Sequence, residues 1–172
     1  MSSQSDSQRE LSIPWWQVDL GEEAASAAAK AVAARHLSQG PITLEVERTM
    51  ADKLGVKHAL ATSSGTSAIT LALMAAGAGP GDTVICPAYT WIATAHAAHI
   101  LGCKIRVIDI EPSKPIMDTS QLEATSGARA FVVPVHMNGH AVGIENLRDK
   151  GYIVVEDAAQ ALGSKLDGAL LG

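Results

Sequence analysis

After residue 55 the apolar positions of the chain alternate between two spacings. Short uninterrupted apolar runs, typical of buried parallel strands, alternate with segments whose apolar residues recur at helical spacing. The predicted strands are 58–62, 83–87, 104–110, 130–135 and 152–156, and the predicted helices between them are 66–77, 90–102, 119–126 and 144–150. This alternation predicts an α/β fold with a mainly parallel sheet that helices cover on both faces.

The region before residue 55 has a different pattern. Residues 1–11 are polar and rich in Ser and Gln, which predicts a disordered tail, and residues 12–172 form the folded part. Two helices are predicted, at 22–36 and 42–54. Apolar residues of the second helix recur at helical spacing and predict one buried face: Ile42, Val46, Met50 and Leu54.

Composition narrows the class of protein. A chain of 172 residues corresponds to one domain or a large part of one. The net charge of −5 and the lack of a basic cluster argue against nucleic-acid binding. We find neither a membrane-span pattern nor the apolar core of a signal peptide. Cys86 and Cys103 lie in apolar contexts and are predicted to be buried free thiols, which favours a cytoplasmic protein.

The segment "ATSSGTSA", residues 61–68, follows the first predicted strand and opens a helix. Small residues allow a ligand to approach the backbone, and free N–H groups at a helix start favour an anion such as phosphate. Ser64, Gly65 and Thr66 are therefore candidate anion-binding residues. An ordinary Ser/Thr helix cap is the alternative. The segment matches neither the dinucleotide-binding nor the Walker glycine pattern.

Two aromatic residues follow the second predicted strand, in "CPAYTWIATAHAA", residues 86–98. Tyr89 and Trp91 fall where the carboxyl-end crevice of a parallel sheet is expected. An indole in that position could stack on a flat ligand ring, whereas the alternative is an aromatic that packs on the core at the start of a helix.

Histidines occur in "VHMNGH", residues 135–140. His136 and His140 have no third ligand at suitable spacing, so we predict no metal site. His136 ends a predicted strand and is a candidate for hydrogen bonding to substrate in the crevice.

An acid ends the last predicted strand, in "YIVVEDAAQALGS", residues 152–164. Asp157 is either a helix N-cap for the residues after it or a carboxylate at the ligand-binding end of the sheet. A carboxylate there could keep the nitrogen of a ligand ring protonated, and the alanines after it leave room for that ring.

Together these features describe one ligand. An anion site follows the first strand, an aromatic follows the second and an acid follows the last. A flat, phosphorylated ring that contains nitrogen would satisfy all three, and pyridoxal 5′-phosphate is such a ligand.

The chain resembles the pyridoxal-phosphate-dependent sugar aminotransferases of the DegT/StrS group, which share fold type I. The resembling segments are "LSQGP" (37–41), "LGVKHALATSSGTSAITLAL" (54–73), "GPGDTVICPAYTWIATAHAA" (79–98), "PVHMNGH" (134–140) and "VVEDAAQALGSKLDG" (154–168). The resemblance implies that Ser64, Gly65 and Thr66 bind the cofactor phosphate and that Trp91 stacks on the pyridine ring. It also implies that Asp157 pairs with the pyridinium nitrogen.

The same resemblance places Gln160 near the phenolic oxygen of the ring. It further implies that the lysine of the Schiff base and the small domain follow residue 172 and are absent from these residues. Lys165 does not match the position of that lysine. We therefore expect the N-terminal part of a cofactor-binding large domain, inactive alone and incomplete at its C-terminus.

Three interpretations remain open. In the first, the chain is half of a split aminotransferase for a keto-sugar nucleotide or a keto-cyclitol, and a complementary C-terminal chain completes it, in a dimer of such units. In the second, it is a truncated fragment of a longer enzyme. In the third, it is a non-catalytic ligand-binding or assembly protein. A nucleotide-binding α/β domain is disfavoured because the glycine fingerprint is missing.

Overall fold

A computed structural model of the chain describes residues 18–126 and 129–172. The predicted disordered tail at 1–11 lies outside the described residues. The described residues divide into two compact units, one up to residue 44 and one from residue 45. The cavity and the sheet described below belong to the second unit.

Two helices open the described part of the chain. Helix α1 spans Gly21–Ala33, with Glu22 and Glu23 in its first turn, where carboxylates are stabilised by the helix dipole. Helix α2 spans Pro41–Leu54. No residue of α2 is buried, so the buried face predicted for this helix is wrong in this structure. An apolar stripe predicts a buried face only if another element covers it.

The second unit is a parallel sheet joined by helices. Its strands are β1 (Thr83–Pro87), β2 (Lys104–Ile108), β3 (Ala130–Val132) and β4 (Ile153–Val154). Its helices are α3 (Gly65–Ala75), α4 (Ala93–Ile100) and α5 (Ile144–Asp149), with short 3₁₀ turns at Thr119–Gln121 and Met137–Gly139. The strand order is β2-β1-β3-β4, and every pair in it is parallel. The predicted fold class is confirmed.

Helices α3 and α4 cover one face of the sheet, where buried apolar side chains pack together: Ile69, Leu73, Val84, Ala97, Ala98, Phe131, Val133 and Val155. A second cluster, which includes Leu147 of α5, covers the other face: Ile85, Ile108, Ile116, Met117, Leu122, Val132, Val142, Leu147 and Tyr152. Burial on both faces explains why β1 and β3 are almost continuously apolar. Strand β2, at the edge of the sheet, is exposed at four of its five residues and includes Lys104 and Arg106.

The strand order reverses between β1 and β3. The chain leaves β1 towards β2 on one side, and β3 pairs with β1 on the other side. Open parallel sheets bind ligands outside the carboxyl ends of their strands at such a switch point. The segments after β1 and β4, with Trp91 and Asp157, are therefore placed at the expected binding edge.

Several predicted elements are shorter than expected or absent. Residues 58–62 are not a strand, because no strand of the described residues pairs with them, and Leu60 is 68% exposed. Strand β3 ends early at Val132, although the ladder continues through Val155 N–H to Val132 O at 3.0 Å and Asp157 N–H to Pro134 O at 2.9 Å. Within the segment predicted as a helix at 119–126, only the 3₁₀ turn forms.

A small hairpin follows the sheet and was not predicted. Strands β5 (Lys165–Leu166) and β6 (Ala169–Leu170) pair antiparallel. Asp167 and Gly168 join them with φ angles of 50° and 87°. An Asp-Gly pair favours this turn because both central residues need positive φ.

Both cysteines are buried and free, as predicted. Burial raises the pKa of the Cys86 thiol and of the Cys103 thiol, and the Asp82 carboxylate adds to the effect at Cys103. None of the helices in the described ranges is long and apolar enough to span a membrane.

Candidate cofactor-binding site

One cavity of about 630 Å³ opens at the carboxyl-end edge of the sheet. It brings together all of the residues predicted to bind the cofactor: Ser64, Gly65, Thr66, Trp91, Asp157 and Gln160. Much of the remaining wall is small or apolar: Ala68, Ile69, Ala72, Ala93, Val155, Ala158 and Ala159. A cavity with apolar walls and a few convergent polar groups is typical of a small-molecule site.

The start of α3 forms the electropositive end of the cavity. Ser64 is the N-cap, and its Oγ accepts from the N–H of Ser67 at 3.2 Å. No acceptor from the described residues binds the amide N–H groups of Gly65 and Thr66. The cap and the anion site are thus compatible, because the cap satisfies one N–H and leaves two for a ligand.

Gly65 leaves this end of the cavity open. A Cβ built at this residue would meet no atom within 4 Å. The backbone N–H groups are therefore accessible to a ligand, and a side chain introduced at this position would occupy the space in front of them.

Two acids line the wall, Glu156 and Asp157, and Asp157 is the more buried of the two. The Asp157 residue is only 8% exposed, and its backbone is held to the segment that follows β3 by the parallel bridge between Val135 and Asp157. The carboxylate accepts from Thr94 Oγ1 at 2.9 Å through Oδ2 and from Ala159 N–H at 3.2 Å through Oδ1. No helix begins after Asp157, so in this structure the carboxylate caps a turn rather than a helix.

Trp91 lies on the wall of the cavity and is 75% exposed. An indole that exposed is free to stack on a ligand, because its face is not covered by the core. Tyr89, which the sequence grouped with it, is 51% exposed and instead lines a shallower depression with residues 110–115.

The amide of Gln160 has a defined orientation. Its Oε1 accepts from the backbone N–H of Asn138 at 2.9 Å. Because an N–H donor requires the oxygen of the amide, the Nε2 group of Gln160 remains free to donate. This orientation suits a hydrogen bond to an oxygen on a ring in the cavity.

His136 lies outside the cavity wall and is fully buried. Its Nδ1 accepts from Val142 N–H at 3.1 Å, so the proton of a neutral ring resides on Nε2, which lies 3.1 Å from Glu156 Oε2. Both ring nitrogens are therefore occupied by protein partners. The substrate contact predicted for His136 stays a prediction, and in this structure the ring joins two loops.

The hydrogen bond from His136 lowers the pKa of the Glu156 carboxyl, and the N–H of Gly172 and nearby Arg148 act in the same direction, whereas burial opposes them. Sequence reasoning did not single out Glu156. Both acids line the cavity, but the Glu156 carboxylate is hydrogen-bonded to His136, whereas the Asp157 carboxylate is held by Thr94 and Ala159.

The residues that line the cavity include no lysine. The residues outside the described ranges contain none either. Lys165 lies exposed on β5 and does not line the cavity. In the described part of the chain, no three His, Cys, Asp or Glu side chains cluster to hold a metal ion.

Sequence reasoning also missed Thr90 and Thr94. Thr94 is completely buried and contacts Asp157, and Thr90 Oγ1 lies 2.9 Å from Thr94 Oγ1. The available signal was a pair of threonines four residues apart beside Trp91, in a segment otherwise rich in alanine.

The chain matches known proteins along most of its described length. Residues 18–172 match the model of the DegT/DnrJ/EryC1/StrS aminotransferase family. The chain is 38% identical over 140 residues to GDP-perosamine synthase of Caulobacter vibrioides, covering 78% of this chain and 38% of that protein.

Solved structures of aminotransferases also match the chain. A DegT DnrJ EryC1 StrS aminotransferase from Brucella abortus superposes with a TM-score of 0.78 at 32% identity, over 90% of this chain and 47% of that one. The NtdA protein of Bacillus subtilis, solved with bound cofactor PMP, has a TM-score of 0.75 at 30% identity, over 83% of this chain and 34% of that one.

The chain thus spans less than half the length of these proteins. The family match nevertheless covers the whole sheet and every residue of the cavity wall. The chain belongs to the DegT/DnrJ/EryC1/StrS aminotransferase family.

Proposed function

We propose that the chain is the cofactor-binding part of a pyridoxal-phosphate-dependent aminotransferase that acts on a keto-sugar nucleotide or a keto-cyclitol. The observation that carries this proposal is the cavity itself, which combines free N–H donors, an exposed indole and a buried carboxylate. These groups match the phosphate, the ring face and the ring nitrogen of one cofactor.

Each group has a definite task. The N–H groups of Gly65 and Thr66, with the positive end of α3, bind the phosphate. Trp91 packs on the ring face, and the Asp157 carboxylate accepts a hydrogen bond from the protonated ring nitrogen. When bound, pyridoxal phosphate withdraws electrons from the substrate carbon that carries the amine. Asp157 strengthens that withdrawal because an ionised carboxylate keeps the ring nitrogen protonated.

The substrate class follows from the relatives. The family is described as aminotransferases, and one relative is named GDP-perosamine synthase, which supports a sugar nucleotide as amine acceptor. We propose a glutamate or glutamine amino donor on the resemblance alone.

A further polypeptide segment completes the site, and we propose that a complementary C-terminal chain supplies it, in a dimer of such units. Two features support completion by further protein. The cavity wall has no lysine, and large apolar side chains at or near the cavity are uncovered in this structure: Leu60, Leu71, Met74, Trp91 and Ile92. Strand β4 ends the sheet with one side unpaired among the described strands. Such an edge favours pairing with another segment.

Co-expression tests this proposal. With the complementary chain, we expect a defined hetero-oligomer that transfers an amine from glutamate to a keto-sugar nucleotide, whereas either chain alone is inactive. A stable monomer that ignores the complementary chain would contradict the two-chain form. Activity that appears only when residues 1–172 are joined to a continuing segment in one polypeptide would identify a fragment of a longer enzyme.

The lack of a lysine in the cavity also favours a second candidate, a binding protein that holds the cofactor or a similar phosphorylated ring without chemistry. Cofactor binding without any transamination, in every assembled form, would select it.

A further inference from the structure

A chain of two threonine hydroxyls leads to the carboxylate of Asp157. Thr94 is 0% exposed, and its Oγ1 lies 2.9 Å from Asp157 Oδ2. Thr90, which is half-buried, places its own Oγ1 2.9 Å from Thr94 Oγ1. Buried hydroxyls need partners, and these two find them in each other and in the acid.

The charge of the acid fixes the direction of both hydrogen bonds. An ionised carboxylate can only accept, so the proton of Thr94 points to Asp157. The oxygen of Thr94 is then free to accept from Thr90. The pair therefore acts as one directed chain in which Thr90 orients Thr94 and Thr94 donates to Asp157.

The carboxylate plane is held from both oxygens. Thr94 donates to Oδ2, and the backbone N–H of Ala159 donates to Oδ1. Each carboxylate oxygen has a second lone pair, so acceptor capacity remains for a donor in the cavity. Removing the Thr94 bond would leave the plane anchored at one oxygen only.

We propose that Thr94, oriented by Thr90, is a positioning residue that aims the Asp157 carboxylate at the ring nitrogen of the cofactor. The proposal rests on the proposed function of the cavity. With both oxygens anchored, the carboxylate plane keeps one orientation towards the cavity, so its hydrogen bond to the ring nitrogen stays aligned. Trp91 lies between the two threonines in the chain, so one short segment would set both the ring face and the ring nitrogen partner.

Binding of pyridoxamine 5′-phosphate tests this, because that form of the cofactor needs no lysine. In calorimetric titrations of the 172-residue chain, Thr94→Val, which keeps the shape and removes the hydroxyl, should weaken binding about tenfold. Thr94→Ser should restore affinity to within about twofold, and Thr90→Val should weaken binding roughly threefold. Thr125→Val is the matched control, because it removes a half-buried hydroxyl on the opposite face of the sheet.

A double-mutant cycle shows whether Thr94 acts through the acid. In an Asp157→Asn background, Thr94→Val should have much less effect on binding than it has in the parent chain. Equal effects in both backgrounds would overturn the proposal.

The protonation state of the ring gives a readout that a purely structural role would not move. With ¹⁵N-labelled pyridoxamine 5′-phosphate, the bound ring nitrogen should lose its proton about one pH unit lower in Thr94→Val than in the parent chain, a tenfold change. Circular dichroism checks that each variant is folded, and Thr90→Val replaces Thr94→Val if the latter unfolds.

The proposed function and the role of the threonines can be refuted separately. If the parent chain binds no pyridoxamine 5′-phosphate, the proposed function of this chain fails. If the parent binds and Thr94→Val or Thr90→Val matches it in affinity and ring protonation, only the role of the threonines is refuted. Failure of Thr94→Ser to restore binding would refute it as well.

Discussion

Gly65→Asp separates the stability of the chain from its ability to bind a phosphorylated ligand. A Cβ at Gly65 meets nothing within 4 Å, so the first atom of a new side chain has open space. A carboxylate in the first turn of α3 interacts favourably with the helix dipole, by about 0.3–1 kcal/mol. We therefore expect the free energy of unfolding to stay constant or to rise slightly.

The same charge should oppose the phosphate. A unit charge about 5 Å from a dianion costs between roughly 2 and 7 kcal/mol as the effective dielectric constant falls from that of water to about 20. Even the lower figure raises the dissociation constant of pyridoxamine 5′-phosphate about 30-fold. The neutral variant Gly65→Asn, which is nearly identical in shape, should lose far less.

Calorimetric titration with two ligands gives the assay. Pyridoxamine, which has no phosphate, should bind the parent chain and Gly65→Asp equally weakly. A Gly65→Asp chain that unfolds earlier, or that binds the phosphorylated ligand as well as Gly65→Asn does, would refute the assignment of the phosphate to the start of α3.

Three further predictions concern stability and reactivity. Because the pKa of Glu156 is lowered by folding, its stabilising contribution is present above the unfolded-state pKa and is lost as the pH falls through the folded-state pKa. Glu156→Gln should therefore lower the free energy of unfolding by about 1–2 kcal/mol near pH 7 and by much less near pH 3, as measured by urea titration. A cost that does not change with pH would contradict this. Leu73→Ala, at a residue 0% exposed, should cost about 2–5 kcal/mol, whereas Leu71→Ala, at a residue 43% exposed, should cost well under that; equal losses in thermal melts would show that the core is misassigned. The buried, raised-pKa thiol of Cys86 should resist alkylation in the folded chain and react on denaturation, as mass spectrometry would record, and rapid native labelling would rule out its burial.

The sequence was sufficient for features that depend on local pattern. Apolar runs identified β1 and β3, which are largely buried, and also the more exposed β2 and β4. The position of Asp157 just after a run predicted a side chain at the carboxyl end of the sheet, and the cavity wall includes it. Gly65 was predicted within a segment of small residues that opens a helix, and α3 begins there, although the strand expected before it does not form.

Features that depend on contacts with other elements of the fold were not predicted correctly. Residues 58–62 have a strand composition, but a strand exists only with a ladder partner, and the described residues give it none. The apolar stripe of α2 fails for a similar reason, since no residue of that helix is buried. A local pattern predicts which side chains of a segment can be buried, but it does not predict which other element covers them.

The hairpin and the contact of Thr94 with Asp157 were missed for different reasons. The Asp167–Gly168 pair between apolar residues is a strong hairpin signal, and it formed a hairpin. The contact of Thr94 with Asp157 joins residues 63 positions apart, so only the fold could reveal it. The four-residue spacing of Thr90 and Thr94 can be read from the sequence, but the hydrogen bond from Thr94 to Asp157 cannot.

The central claim is that pyridoxamine 5′-phosphate binds in the cavity between the start of α3 and Asp157. An NMR titration of the ¹⁵N-labelled chain tests the location directly, because every backbone amide reports separately. We expect saturable shifts at Gly65, Thr66 and the residues around Asp157. Shifts confined to the other large cavity, lined by Arg106, Glu123 and Tyr152, or no saturable shift at all, would contradict it.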